Sequence, residues 1–181
     1  MVKFVSNQNC GRGTNMYKNE KIKRMCSFYA SDIHLTTMML PYLVTKVEKG
    51  DKIYTFLDHS IEKEIQILLS KLNLKNKTLE TIKSINWKAK TEMEFSNTKE
   101  WKNIEGKEIY ILVTGKQKNI QEINQKIEKL IENDQNLKVN IINFFDINDI
   151  NNDIKEILKN HDKVLNTSGE KEIEDNHLWV I

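Results

Sequence analysis

Along most of this chain apolar residues recur with one of two periods, and the changes between them mark out the elements. The mostly apolar run Met25-Cys26-Ser27-Phe28-Tyr29 predicts a first strand over 24–29. Ile33, Met38, Met39, Tyr42, Leu43 and Val47 then follow helical spacing and predict a helix over 32–49, capped by Ser31 or Asp32 and ended by Gly50-Asp51. Pro41 falls inside that helix and is expected to kink it or divide it in two, because it removes a backbone donor. Ile53-Tyr54-Thr55-Phe56-Leu57 predicts a second strand over 52–57, and Ile61, Ile65, Leu68, Leu69 and Leu72 mark the apolar face of a helix starting at Ser60.

Leu79, Thr81, Lys83 and Ile85 alternate, which suggests a third strand within 78–89. Residues 88–106 read as an irregular surface excursion. A fourth strand at 108–114 ends at Gly115, and the helix after it carries Ile120, Ile123, Ile127, Leu130 and Ile131 on one face. A fifth strand over 137–145, a helix around 149–160 and a closing strand at 177–181 complete the pattern. Strands alternating with helices predict an α/β fold: a single three-layer domain with a mostly parallel sheet of five to six strands, a degenerate RecA/Rossmann-like arrangement. Residues 1–20 lack periodicity and read as an irregular arm before a domain of 21–181.

Composition narrows the classes. Hydrophobic residues are 39% of the 181 and charged residues 30%, as in a folded globular chain. A net charge of +2, with lysine and glutamate interleaved, gives no dense basic face, so direct nucleic-acid binding is not expected. No apolar run reaches the roughly 20 residues of a membrane span, and the amino terminus does not read as a signal peptide. Two cysteines, Cys10 and Cys26, make no disulfide framework, which places the expectation in a reducing cytoplasm. No metal or cofactor is implied. Cys10-Gly11-Arg12-Gly13-Thr14 has glycines but neither the preceding strand nor the Gly-Lys-Ser/Thr ending of a phosphate loop.

The first strand therefore runs into a helix at the place where α/β folds usually hold a phosphate, and the corner has no glycine. Two segments in this order resemble the MEDS domain, a sensory domain. The first is Met25-Cys26-Ser27-Phe28-Tyr29, followed by a helix and by Glu48-Lys49-Gly50-Asp51-Lys52. The second is Ile157-Leu158-Lys159-Asn160-His161-Asp162-Lys163-Val164-Leu165, with Asn176-His177-Leu178-Trp179 beyond it. Ile85-Asn86-Trp87, Ile109–Gly115 and Asn143-Phe144-Phe145-Asp146 fall where that family has its middle strands. The similarity spans about 21–180. It implies a KaiC/RecA-like fold without the ATPase loop, a small-molecule sensing role, and output through a separate protein such as a signalling kinase or transcription regulator. Many members have His where this chain has Arg24.

Ligands of open parallel sheets bind beyond the carboxyl ends of the strands. Those ends carry Tyr29 and Ser31, Asp58 and His59, Thr114 and Lys116, and Asp146, with His34 one turn into the first helix. Asp58-His59 has the chemistry of a general base, a metal ligand or a pH switch. The plainer reading makes Asp58 or Ser60 a helix cap and leaves His59 at the surface. His161 either bonds a ligand or sits at a helix carboxyl end, where the dipole favours a cation. Cys26 is either a thiol activated by Arg24 or a buried, inert one. Thr114-Gly115-Lys116 is a weak phosphate signal. The reading is a non-enzymatic sensory or regulatory domain that takes a small ligand or a protein partner. The alternatives are a small nucleotide-binding protein or enzyme using Asp58, His59 and Lys116, and a pocketless interaction module, for example a homodimer.

Overall fold

The computed structural model describes residues 21–90, 108–132, 137–150 and 154–173. The strands are β1 Ile22–Tyr29, β2 Lys52–Phe56, β3 Ile109–Thr114, β4 Val139–Asp146, β5 Lys163–Asn166 and β6 Gly169–Glu172. The helices are α1 Asp32–Lys49, α2 Glu62–Leu69, α3 Asn76–Ser84, α4 Gln117–Ile131 and α5 Ile154–Lys159. The six strands form one sheet in the order β2-β3-β4-β1-β5-β6, parallel except for the antiparallel β5–β6 pair. The expected α/β class with a mostly parallel sheet is therefore what the chain adopts. The order is neither of the two common doubly wound ones, since those set the first strand beside the second.

The central strands are continuous apolar runs because both of their faces are covered. All six residues of β3 and the first seven of β4 are buried. One face packs Met25, Tyr29, Leu112, Ile142 and Phe144 under α1, α2 and α3. The other packs Cys26, Ile111, Val113 and Ile141 against Ile120, Ile127 and Ile131 of α4 and Ile157 of α5. Each fully buried side chain of this size contributes about 1.5–3 kcal/mol relative to exposure, so the layers rest chiefly on these two apolar faces.

Helix α1 starts where expected, with the Ser31 hydroxyl accepting the His34 N–H at 3.2 Å. It ends at Gly50, whose φ of 82° is the left-handed conformation that glycine adopts without strain. The helix runs through Pro41 as one element. The carbonyl that loses a partner belongs to Thr37, which is exposed like Pro41, so water can take the place of the missing donor.

One expectation is corrected. The segment read as a third strand within 78–89 contains α3 instead. Its buried residues Thr78 and Ile82 are four apart, and Ile85 packs on the same core. That helical spacing outweighs the alternation of Leu79, Thr81 and Lys83. The Trp87 indole N–H then donates to the Ile82 carbonyl at 2.9 Å, satisfying a helix-end acceptor. The β5–β6 hairpin had no clear signal, because its strands have four residues each and β6 reads Gly-Glu-Lys-Glu. Such charge suits an edge strand, which must resist pairing with other chains. The arm 1–20, most of the irregular stretch 88–106 and the strand expected at 177–181 lie outside the described residues.

Candidate functional site

The connection leaving β1 runs towards β2, whereas the one leaving β4 passes β1 to reach β5. The carboxyl ends of β1 and β4 are thus the switch point of the sheet, where a crevice is expected. Tyr29 and Asp146 stand opposite each other there. Thr114 ends β3 and Asp58-His59 follow β2, so the strand ends named from the sequence do meet at one edge.

A short polar chain joins them. The buried Thr114 hydroxyl donates to Asp58 Oδ1 at 2.5 Å and accepts the Asp58 N–H at 3.1 Å. Gly115, with a φ of 132°, turns the backbone away beside Asp58. His59 lies between two carboxylates, with Nδ1 2.8 Å from Asp58 Oδ1 and Nε2 2.8 Å from Asp32 Oδ1. A carboxylate only accepts, so both contacts are satisfied together when each ring nitrogen carries a proton. Burial alone would lower the His59 pKa, but the Asp32 and Asp58 carboxylates outweigh it and raise it. Adjacent residues thus do bond each other here, while Ser60 reaches Glu62 N only at 3.4 Å.

The β1–α1 corner uses its own donors. Ala30 N–H donates to His34 Nδ1 at 3.2 Å, and His34 N–H is taken by Ser31. Burial pushes the Tyr29 phenol pKa up, and the charges of Asp58, Asp146, Asp32 and Asp149 push it further. Asp146 accepts the backbone and side-chain N–H groups of Asn148, both at 2.8 Å, and Ile147 N–H donates to the Tyr29 carbonyl at 2.9 Å. These bonds zip the crevice. Among the described residues, the recess beside Gly115 and Asp146 measures about 10 Å3, room for about one water. Lys116, the exposed N-cap residue of α4, stands at the same edge.

Two of the residues named from the sequence lie elsewhere. Cys26 is fully buried in mid-strand, and desolvation raises its thiol pKa to about 12, so the activated-thiol reading gives way to the inert one. Arg24 is committed to Glu128 at 2.6 Å. His161 lies between α5 and β5, away from the carboxyl edge. Its Nδ1–H donates to the Ile157 carbonyl at 2.6 Å, and its Nε2 accepts from Asn143 Nδ2 at 2.9 Å. Burial lowers its pKa, which agrees with this neutral tautomer. The sequence reading left Asp32 and Asp149 out of the site; Asp32 was legible only as a helix cap.

Among the described residues no group of three His, Cys, Asp or Glu side chains is arranged to hold a metal ion, and no helix is long and apolar enough to cross a membrane. No family model matches the chain, and neither a curated protein nor a solved structure matches it.

Proposed function

We propose that this chain is a non-hydrolysing sensory or regulatory domain of the MEDS-like kind. In this reading its carboxyl edge meets a cationic segment of a protein partner, and a separate protein carries the output. The observation behind the reading is the β1–α1 corner. Its Ala30 and His34 N–H groups are already accepted by His34 Nδ1 and Ser31 Oγ, and Asp32, Asp58 and Asp146 stand around it. A phosphate needs open amide donors and positive charge at this place. Here two of those donors are already taken and the carboxylates outnumber the exposed Lys116, which counts also against the alternative built on Asp58, His59 and Lys116. A lysine or arginine side chain finds complementary charge at the same edge. Asp58 is held by Thr114 and Asp32 by His59, so the carboxylates are positioned before a partner arrives.

The test is a pair of titrations of the full chain followed by amide NMR. A short lysine- and arginine-rich peptide is expected to shift Tyr29, Ser31, His59 and Thr114 saturably, and the Asp32→Asn/Asp58→Asn double variant to lose the response. Magnesium–ATP is expected to leave those amides unmoved. Saturable shifts at Ser31–Leu35 with magnesium–ATP would overturn the reading in favour of a nucleotide-binding protein.

A further inference from the structure

A larger cavity lies at the opposite, amino end of the sheet, on the face covered by α1. The register sets Tyr110, Asn140 and Lys23 in one row across β3, β4 and β1, so their side chains share a face. Buried Tyr110 and Asn140 form the floor with Met25. The last turn of α1 brings Lys46 to one side, and the β5–β6 hairpin brings Lys163 and Glu170 to another. The cavity, open to solvent on one side, measures about 430 Å3, the size of a small-molecule site.

The walls are organised. Glu108 accepts the Tyr110 hydroxyl at 2.9 Å and Asn140 Nδ2 at 3.0 Å. Glu170 accepts the Tyr42 hydroxyl at 2.8 Å, Lys46 at 3.3 Å and Lys163 at 3.4 Å. The Lys46 side chain is only 13% exposed, with its ammonium 4.6 Å and 4.8 Å from the centres of the Tyr42 and Tyr110 rings. The plainer account is that lysines in the last turn of α1 complement the helix dipole. Solvated ammonium groups would do that without the desolvation and lost rotamer freedom that Lys46 bears here.

Hydrogen-bonding capacity decides the ligand. Each carboxylate facing the cavity accepts at least one hydrogen bond: Glu108 and Glu170 as above, Asp51 from the Glu108 N–H at 3.2 Å and Asp162 from the Arg24 N–H at 2.9 Å. Each ammonium group carries three donors. Lys46 makes one carboxylate contact, and Lys163 reaches Glu170 and Glu172. Lys23 makes no side-chain hydrogen bond among the described residues, although its charge helps hold the Glu108 pKa down against burial. Lys23 is thus a lining cation with donors to spare, and a ligand that engages it supplies acceptors.

We propose that this cavity binds a small oxyanion, a hydroxylated carboxylate or a phosphate monoester, with its acid group between Lys23, Lys46 and Lys163 and a hydroxyl turned to Glu108. The site is separate from the carboxyl edge and stands whether or not a cationic partner docks there. Titrating the full chain with gluconate and with glycerol 3-phosphate distinguishes the two acids, and sorbitol is the uncharged control. Either acid is expected to give saturable amide shifts at Lys23, Lys46, Tyr110 and Glu170, while sorbitol gives none. Lys23→Gln changes an exposed side chain, and it is expected to weaken binding about tenfold, the loss of one ionic contact, with unfolding unchanged. The proposal is overturned if neither acid gives a saturable response, if sorbitol matches the acids, or if Lys23→Gln binds as tightly as the parent chain.

Discussion

At the carboxyl end of the sheet, Asp146 and Asp149 line a recess of about 10 Å3, and Asp32 and Asp58 stand with them around Tyr29. At the amino end, Lys23, Lys46 and Lys163 line a cavity of about 430 Å3. Helix amino termini point towards the first edge, and in an open α/β sheet they give it the bias that attracts anions. Here side chains work against that bias. Asp32 sits in the first turn of α1, Lys46 and Lys49 sit in its last, and each offsets the partial charge of its helix end. The backbone topology therefore fixes where the strand ends converge, whereas the charge presented at each end belongs to a few side chains.

The contrast breaks most readily at Gly115. An alanine there would have to hold a φ of 132°, with its Cβ 3.4 Å from the Asp58 Cβ. Backbone strain of this kind costs about 2 kcal/mol, so Gly115→Ala should lower the urea midpoint accordingly. It should leave oxyanion binding at the amino end intact. Loss of that binding in a chain that remains folded would mean that the two ends act as one unit. A smaller effect is expected from Glu170→Gln, which removes the charge shared by Tyr42, Lys46 and Lys163. About 1 kcal/mol of stability should go with it, discounted because these groups are partly exposed. Burial raises the Tyr42 phenol pKa most, and Glu170 adds to it. A Glu170→Gln chain with the urea midpoint of the parent would remove Glu170 from the account of this cavity.

Much of the fold was legible because β1, β2, β3, β4, α1 and α4 each carry a period that matches their burial. The run Ile109–Thr114 admits no other reading once both faces are covered. The segment at α3 was misread because Leu79, Thr81, Lys83 and Ile85 satisfy a period of two as well as Thr78, Ile82 and Ile85 satisfy a helix; tertiary packing makes the choice. At the candidate site, the strand ends could be named because parallel strands bring their carboxyl ends together. His161 escaped that logic, since it precedes the short strand β5 and faces Asn143 in the interior. The amino-end cavity was illegible for a related reason. Lys23, Lys46, Tyr110 and Glu170 are far apart in sequence, and each alone reads as ordinary surface or core.

The smallest expected effect is also the one that compares an edge group with an interior one through the same chemistry. His59 and His161 start from the same ordinary value of 6.5 and move in opposite directions. For His59 the folded value is raised, so its contribution to stability is complete below 6.5 and is lost as pH rises through the folded value. For His161 the folded value is lowered, so stability is complete above 6.5 and is lost as pH falls below it. Urea midpoints measured over about pH 5 to 8 should therefore show His59→Gln losing the alkaline decline, by roughly a few tenths of a kcal/mol given solvent screening. His161→Gln should instead flatten the acidic decline, on top of a general loss from leaving the buried Asn143 amide without its partner. A His59→Gln profile parallel to that of the parent chain would mean that the Asp32–His59–Asp58 bridge does not hold its proton in solution. The positioned carboxylates of the carboxyl edge would then lose the cation that sets their geometry.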